Sequence, residues 1–171
     1  MVYEDTNAVY ALNSYVWKLL EANLEWVKYQ GIPPIIPIAQ QPEFLQSAKA
    51  FLIYGSARHP SDHLYALVTE SISYTIYATT STEVNKIANL LADTFARQDE
   101  AAADVNEWLG VEAIGLSKTR GISFGTVRSV MVEKATPADE EGGYVSGLVM
   151  LEAKYVEDND TIQTSGFTYT V

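Results

Sequence analysis

The sequence contains no cysteine, and this absence excludes several structures and chemistries at once. A disulfide framework, a cysteine-ligated zinc site and a cysteine nucleophile all require the missing side chain. Nothing in the composition therefore points to an oxidising compartment. The 171 residues, of which 47% are hydrophobic, suffice for one domain with a buried core that needs neither disulfides nor metals.

Long hydrophobic runs are also missing from the sequence. Ile35, Ile36 and Ile38 lie among prolines. The run Leu148–Leu151 is far shorter than the roughly 20 residues that a membrane-spanning helix needs. The segment Met1–Thr6 is polar and acidic and lacks the basic and apolar regions of a signal peptide. We therefore expect neither a membrane span nor a signal peptide.

Basic residues are few. Eleven lysines and arginines stand against 22 acidic residues, which gives a formal net charge of −11. Such a chain repels a phosphate backbone, so we expect no sequence-specific nucleic-acid binding. Two interpretations of the acidity stay open: it keeps the protein soluble, or it forms a surface that faces something to which it must not adhere.

Histidine is scarce as well, with two in the chain. His59 and His63 have the spacing of a helical metal-binding pair, but Pro60 interrupts a helix there and no further histidine or cysteine completes a site. We interpret both as solvated histidines of the polar turn 58–63. Four carboxylates lie close together at the start of the third predicted helix: Asp99, Glu100, Asp104 and Glu107. We interpret them as solvated side chains that interact favourably with the helix dipole, and not as an acid–base pair for catalysis.

Glycine-rich phosphate-binding loops are absent too. Gly142 and Gly143 follow acidic residues and lack the lysine and the helix start that such a loop needs. The basic segment Ser117–Arg120 is interpreted as a solvated turn, with a phosphorylation or contact site as the alternative. The sequence therefore predicts no enzymatic activity and no catalytic, cofactor-binding or metal-binding residues.

Hydrophobic periodicity predicts three helices. The first is capped by Asp5 or Thr6 and ends at Gly31, with an apolar stripe that includes Val27. The second begins with a capping box formed by Thr80 and Glu83. The third is predicted to be capped by Asp99, to bury Ala102, Val105, Trp108 and Leu109 on one face, and to be followed by Gly110.

Four strands are predicted at 48–57, 64–79, 122–134 and 144–155, the second of them with the clearest two-residue alternation. Between the first helix and the first strand, the proline-rich segment Ile32–Pro42 is predicted to be extended and to lie against the surface. The order α-β-β-α-α-β-β predicts an α+β fold with a four-stranded, mainly antiparallel sheet. Its helices pack on one face and leave the other for partners.

The whole chain, residues 1–171, is interpreted as a single domain with a core at about 6–156. Residues 157–171 would form an arm or an extra edge strand, because Ile162, Phe167, Tyr169 and Val171 alternate loosely with polar residues. Eleven tyrosines without a catalytic constellation favour protein contact. The candidate subunit contacts are the first-helix aromatics and their neighbour, the acidic hairpin tip and the C-terminal aromatics: Trp17, Trp26, Tyr29, Glu140, Glu141, Phe167 and Tyr169.

This order of elements, with the proline-rich segment Ile32–Pro37 and the stretch Asp99–Leu109 leading to Ile122–Phe124, resembles the tail terminator, or tail-completion, proteins of tailed bacteriophages. The resemblance covers roughly residues 6–156. It implies a structural virion protein, without a cofactor, that forms a ring, usually a hexamer. The ring would cap the tail tube, stop its polymerisation and join connector or neck proteins, and in contractile tails the sheath.

The same resemblance implies that DNA passes through the ring, so that an acidic lumen would let the DNA slide without sticking. It also places the protein at the head-proximal end of the tail, after assembly in the host cytoplasm. The nearest alternatives are a neck or head-completion protein and a tail-tube subunit of the same particle. A small enzyme or ligand-binding domain is the alternative from another class, and it predicts a monomer or dimer with a deep pocket.

Overall fold

The computed structural model describes residues 6–38, 40, 47–60, 67–112, 122–137 and 143–157. These residues form three helices, α1 (Asn7–Leu24), α2 (Ser81–Thr94) and α3 (Gln98–Glu112). They also form five strands: β1 (Ile35–Pro37), β2 (Ala50–Pro60), β3 (Leu67–Ala78), β4 (Ile122–Glu133) and β5 (Val145–Glu157). The strands lie in one sheet in the order β1-β2-β3-β5-β4. The α+β class is confirmed, and the predicted count of four strands is wrong by one.

Helix α1 begins where predicted but ends earlier. The hydroxyl of Thr6 accepts a hydrogen bond from the Val9 amide at 3.3 Å and caps the first turn. The predicted end at Gly31 is wrong, because Glu25 already adopts a left-handed conformation with φ of 55°. The turn at Glu25 directs Trp26 into the core, and it leaves Val27, which was assigned to the buried stripe, 62% exposed.

The second and third helices follow one another along the chain. Thr80 caps α2 as predicted, with its hydroxyl accepting from the Glu83 amide at 3.2 Å. The predicted limits of α3 are wrong: Asp99 lies inside the first turn, where an acid also suits the helix dipole, and Gly110 lies within the helix. The predicted inner face is confirmed at Ala102, Val105 and Leu109, which are buried, and Trp108 packs against the core from a half-buried position.

Both predicted hairpins form. Strand β2 pairs antiparallel with β3, β4 pairs antiparallel with β5, and β3 and β5 join the two hairpins at the centre of the sheet. Strand β2 runs through Pro60, so Arg58 and His59 belong to a strand and not to the predicted turn. The rest of that turn, including His63, lies outside the described residues.

The proline-rich segment supplies the fifth strand. Strand β1 pairs parallel with β2, and the amide of Leu52 donates to the Pro34 carbonyl at 2.9 Å. Beyond β1, the amide of Ile38 donates to the Tyr54 carbonyl at 2.9 Å. The segment is extended as predicted. Pro37 is tolerated in this strand because β1 is the outermost of the described strands, where a residue without an N–H group breaks no ladder.

The helices pack on one face of the sheet, called here the helical face. Alternate residues of β3 and β5 that point to this face are buried, including Ile72, Tyr74, Val149, Leu151 and Tyr155. Gly147 also lies on this face, and a Cβ there would come within 2.6 Å of Val84 of α2 and 2.8 Å of the Glu133 carbonyl oxygen. The helical layer is therefore in direct van der Waals contact with the sheet.

Candidate interaction surfaces

The opposite face of the sheet, called here the far face, has a different composition. On β3 it carries small hydroxyl side chains, half-buried among their neighbours: Thr69, Ser71, Ser73 and Thr75. On β5 it carries Leu148 and Met150, half-buried, and Val156, exposed. No described helix packs over these residues. The far face is therefore a broad surface of hydroxyl, methyl and thioether groups.

Charge on the far face is sparse and partly paired. Arg128 of β4 and Glu152 of β5 lie opposite each other in the register, and their side chains form a salt bridge at 2.9 Å. Lys154 and Glu133 are the neighbouring charged side chains on the same two strands. Protein interfaces are depleted of charge at their centre, and a surface of this composition suits protein contact.

One end of the far face is covered by a small second cluster. Ile36 of β1, Ala48 just before β2 and Phe51 of β2 are buried there together. The Phe51 ring stacks on Tyr77 with centroids 5.0 Å apart and meets Tyr144 edge-on at 5.1 Å. This cluster gives β1 its apolar contact, so the β1 end of the far face is closed and the β4 end is left open.

Strand β4 and the residues that follow it form the open margin of the sheet, and asparagine side chains hold this margin at two points. Asn106 of α3 donates to the Phe124 carbonyl at 2.8 Å and accepts from the Phe124 amide at 2.9 Å. Asn85 of α2 does the same for Ala135, at 2.9 and 3.0 Å. Each asparagine side chain makes, with one residue, the two backbone hydrogen bonds that a neighbouring strand would otherwise make. We call these two contacts the asparagine clasps.

Between the clasps, β4 presents three consecutive apolar residues to solvent. Val130, Met131 and Val132 are 43%, 45% and 37% exposed. The register of β4 against β5 shifts between Ser129 and Met131, so Val130 is a bulge residue. Exposed apolar side chains on an edge strand mark a contact site or an aggregation hazard. We call Val130–Val132 the apolar strip.

The helical side carries an aromatic groove of about 480 Å³ between α1, α3 and the chain before β1. Tyr10, Trp17, Tyr54 and Trp108 line it, and Lys28 is its charged lining residue. Beside it, the Lys18 ammonium lies 5.5 Å from the Tyr15 ring centroid and 5.8 Å from that of Trp108. Burial, and to a smaller degree the charge of Asp104, raises the pKa of the Tyr15 hydroxyl above its ordinary value. The described lining has no pair of titratable groups suited to acid–base catalysis.

The most deeply buried acid is Glu70, which is 1% exposed on the helical face of β3. Its carboxylate accepts from the Tyr155 hydroxyl at 2.7 Å and from the Thr6 hydroxyl at 2.7 and 3.0 Å. Thr6 also caps α1, so the carboxylate ties the start of that helix to the two central strands. These bonds account for the burial of Glu70 as a structural anchor.

The sequence-predicted contact residues do not form one surface. Trp17 is half-buried in the aromatic groove, and Trp26 is 9% exposed and packs within the core. Tyr29 is half-buried against the second cluster. Glu140, Glu141, Phe167 and Tyr169 lie outside the described residues. Their roles as contacts stay predictions.

The apolar strip and the clasps are the features that sequence reasoning missed. The run Val130–Val132 was assigned only to a strand, and its exposure depends on the bulge and on its place at the sheet margin. Asn85 and Asn106 carried no local signal, because their partners are 50 and 18 residues away.

The described part of the chain contains no group of three or more histidine, cysteine or acidic side chains that could hold a metal ion. His59 lies exposed on β2, opposite Thr69. No described helix is long and apolar enough to cross a membrane.

Comparison with models of known protein families and with curated proteins finds no match to this chain.

Proposed function

We propose that this protein is a structural subunit of a phage tail that assembles into a ring on the end of the tail tube, stops its polymerisation and joins the tail to the head. The observation that carries the proposal is the contrast between the two faces of the sheet. The helical face is packed by three helices, whereas the far face and the β4 margin present a sparsely charged surface with the apolar strip. Such a surface is suited to be covered by other protein subunits.

A ring needs two different surfaces that meet when copies are related by rotation. The far face with the apolar strip supplies one surface. The aromatic groove, which lies on the opposite side of the sheet and contains Trp17 and Trp108, supplies a second that differs in shape and chemistry. Two unlike contact surfaces on opposite sides of one subunit are what a head-to-tail ring requires, and a hexamer is the proposed closure.

The distribution of charge supports passage of DNA through such a ring. Exposed acids lie along α3, at Asp99, Glu100, Asp104 and Glu107, where Arg97 pairs with Glu100 at 3.2 Å. The far face carries few acids, so protein contacts there do not have to bury this negative charge. A subunit whose acids lie mostly off the far face repels the phosphate backbone and leaves DNA free to slide.

The mass of the assembled protein tests the proposal. Light scattering should give six times the 18.9 kDa of the chain, and electron microscopy should show closed rings. The substitution Met131→Asp should weaken association at least tenfold, because it places an unpaired carboxylate in the contact. Ala103→Asp, on the exposed side of α3, is the matched control and should leave association unchanged.

Other assembly states discriminate the alternatives. Long tubes from the isolated protein would identify a tail-tube subunit, the sister role in the same particle. A monomer at high concentration, with Met131→Asp indistinguishable from the parent chain, would contradict the ring. A neck or head-completion protein would form rings that bind head connectors but leave the polymerisation of tail tubes unchanged.

A further inference from the structure

The outer edge of β4 contains one stretch that no described segment pairs with. The Ser129 amide is bonded to the Phe95 carbonyl at 3.2 Å, and Ala135 is held by the Asn85 clasp. Between these two points lies Val130–Lys134, called here the open edge. It includes the whole apolar strip, so it offers both backbone groups and apolar side chains to an added strand.

The chain beyond β5 contains a segment that fits the open edge. Residues 167–171 read Phe-Thr-Tyr-Thr-Val, a strict alternation of apolar and hydroxyl side chains in which every residue is aromatic or β-branched. This segment, called here the terminal strand, equals the open edge in length. Residues 158–166, which connect it to β5, are mostly polar and include a glycine, as suits a connecting linker.

The geometry favours an open edge on another copy over the one in the same chain. Strand β5 leaves the sheet at Glu157, which lies opposite Ile122. Ser129, which precedes the open edge, lies opposite Leu151, six residues back along β5 and about 20 Å away at 3.3 Å per residue. The ten Cα–Cα steps from Glu157 to Phe167 span at most about 36 Å. Within one chain the linker could cover this distance, but it would have to pass the Asn106 clasp and the Ser129–Phe95 contact, which occupy the same edge.

We infer that the terminal strand of one copy pairs with the open edge of a neighbouring copy as an added strand. The inference rests on the proposed function, since it supplies one of the contacts between neighbours in the ring. Backbone hydrogen bonds to Val130–Lys134 would satisfy the unpaired strand edge, and Phe167, Tyr169 and Val171 would cover apolar surface beside it. The contact is head-to-tail, so it is compatible with a closed ring.

Disulfide trapping between two different chains tests this pairing, because the parent chain has no cysteine to give a background. Chains carrying Met131→Cys or Val132→Cys are mixed with chains carrying Thr168→Cys or Tyr169→Cys, oxidised mildly and run without reductant. We expect a dimer band in an alternating pattern. One terminal position should react with Cys at 131 and the adjacent position with Cys at 132, because neighbouring strand residues point to opposite faces.

The control places the cysteine on α3 as Ala103→Cys, which should trap at least tenfold less dimer with either terminal position. Equal trapping by this control, or no trapping by any pair, would overturn the inference. A second sample uses chains that carry Met131→Cys and Tyr169→Cys together. An internal disulfide without dimers in this sample would overturn the inference as well, because it would show pairing within one subunit.

The mass of the same samples, measured before oxidation, separates this inference from the proposed function. Closed hexamers without the expected trapping would contradict the strand exchange alone. Trapped chains that form open filaments or simple dimers would support the strand exchange and contradict the ring.

Discussion

At the scale of single residues, the end of α1 shows a conformation that the amino acid type does not favour. Glu25 is left-handed with φ of 55°, where a side chain with a Cβ atom is strained by about 1–2 kcal/mol. The strain is retained because the turn places Trp26 in the core and lets its amide donate to the Leu20 carbonyl at 3.4 Å. Packing of the Trp26 indole thus stabilises a left-handed backbone conformation at Glu25 that the local sequence does not favour.

We predict that Glu25→Gly raises the free energy of unfolding by about 1 kcal/mol, because glycine adopts the left-handed conformation without strain. The matched control is Glu21→Gly, an exposed position inside α1, which should lower the free energy of unfolding by about 0.5–1 kcal/mol. Urea unfolding followed by circular dichroism measures both. A loss of stability in both variants would show that Glu25 is not strained.

At the scale of elements, the asparagine clasps decide how the helices hold the margin of the sheet. Asn106→Ala leaves the Phe124 amide and carbonyl without their partners, and we predict a loss of about 2 kcal/mol in the free energy of unfolding. Hydrogen exchange at the Phe124 amide should become faster as well. Asn23→Ala is the control, because Asn23 bonds only the Leu19 carbonyl of its own exposed helical turn and should change stability by less than about 0.5 kcal/mol. Equal losses in the two variants would contradict the clasp.

Local patterns in the sequence were sufficient for most elements of this fold. The caps at Thr6 and Thr80 and the two-residue alternation of β3 depend on neighbours within a few positions, and all three are confirmed. Strand β1 was missed as a strand because prolines hide the pattern, and only its partner β2 makes it a strand. The early end of α1 was missed because it depends on where Trp26 packs.

The candidate surfaces were harder to predict than the elements, for a physical reason. Aromatic content pointed to Trp17 and Trp26, but a large ring is as useful in the core as at an interface, and Trp26 is used in the core. Met131 is exposed because β4 is the last of the described strands, and strand order depends on the whole sheet. Whether a given residue lies on the surface is therefore the feature of the candidate site that is hardest to predict from sequence patterns.

At the scale of the whole molecule, the proposed association must overcome repulsion between copies that each carry a net charge of −11. The far face and the apolar strip contribute little charge, apart from the Arg128–Glu152 pair, Lys154 and Glu133. Apolar burial should therefore drive association, and long-range repulsion should oppose it. Salt screens the electrostatic repulsion between copies and does not weaken the contribution of apolar burial to association.

We predict that association strengthens as NaCl is raised from about 0.02 to 0.5 M, a range in which the screening length falls from about 20 Å to below 5 Å. Sedimentation equilibrium at each salt concentration measures the effect. The double variant Asp104→Asn, Glu107→Gln removes two negative charges from the exposed side of α3 and should reproduce part of the gain at low salt. Association that weakens steadily with salt would mean that charge pairs hold the copies together. Neither the far face nor the apolar strip would then be the contact surface.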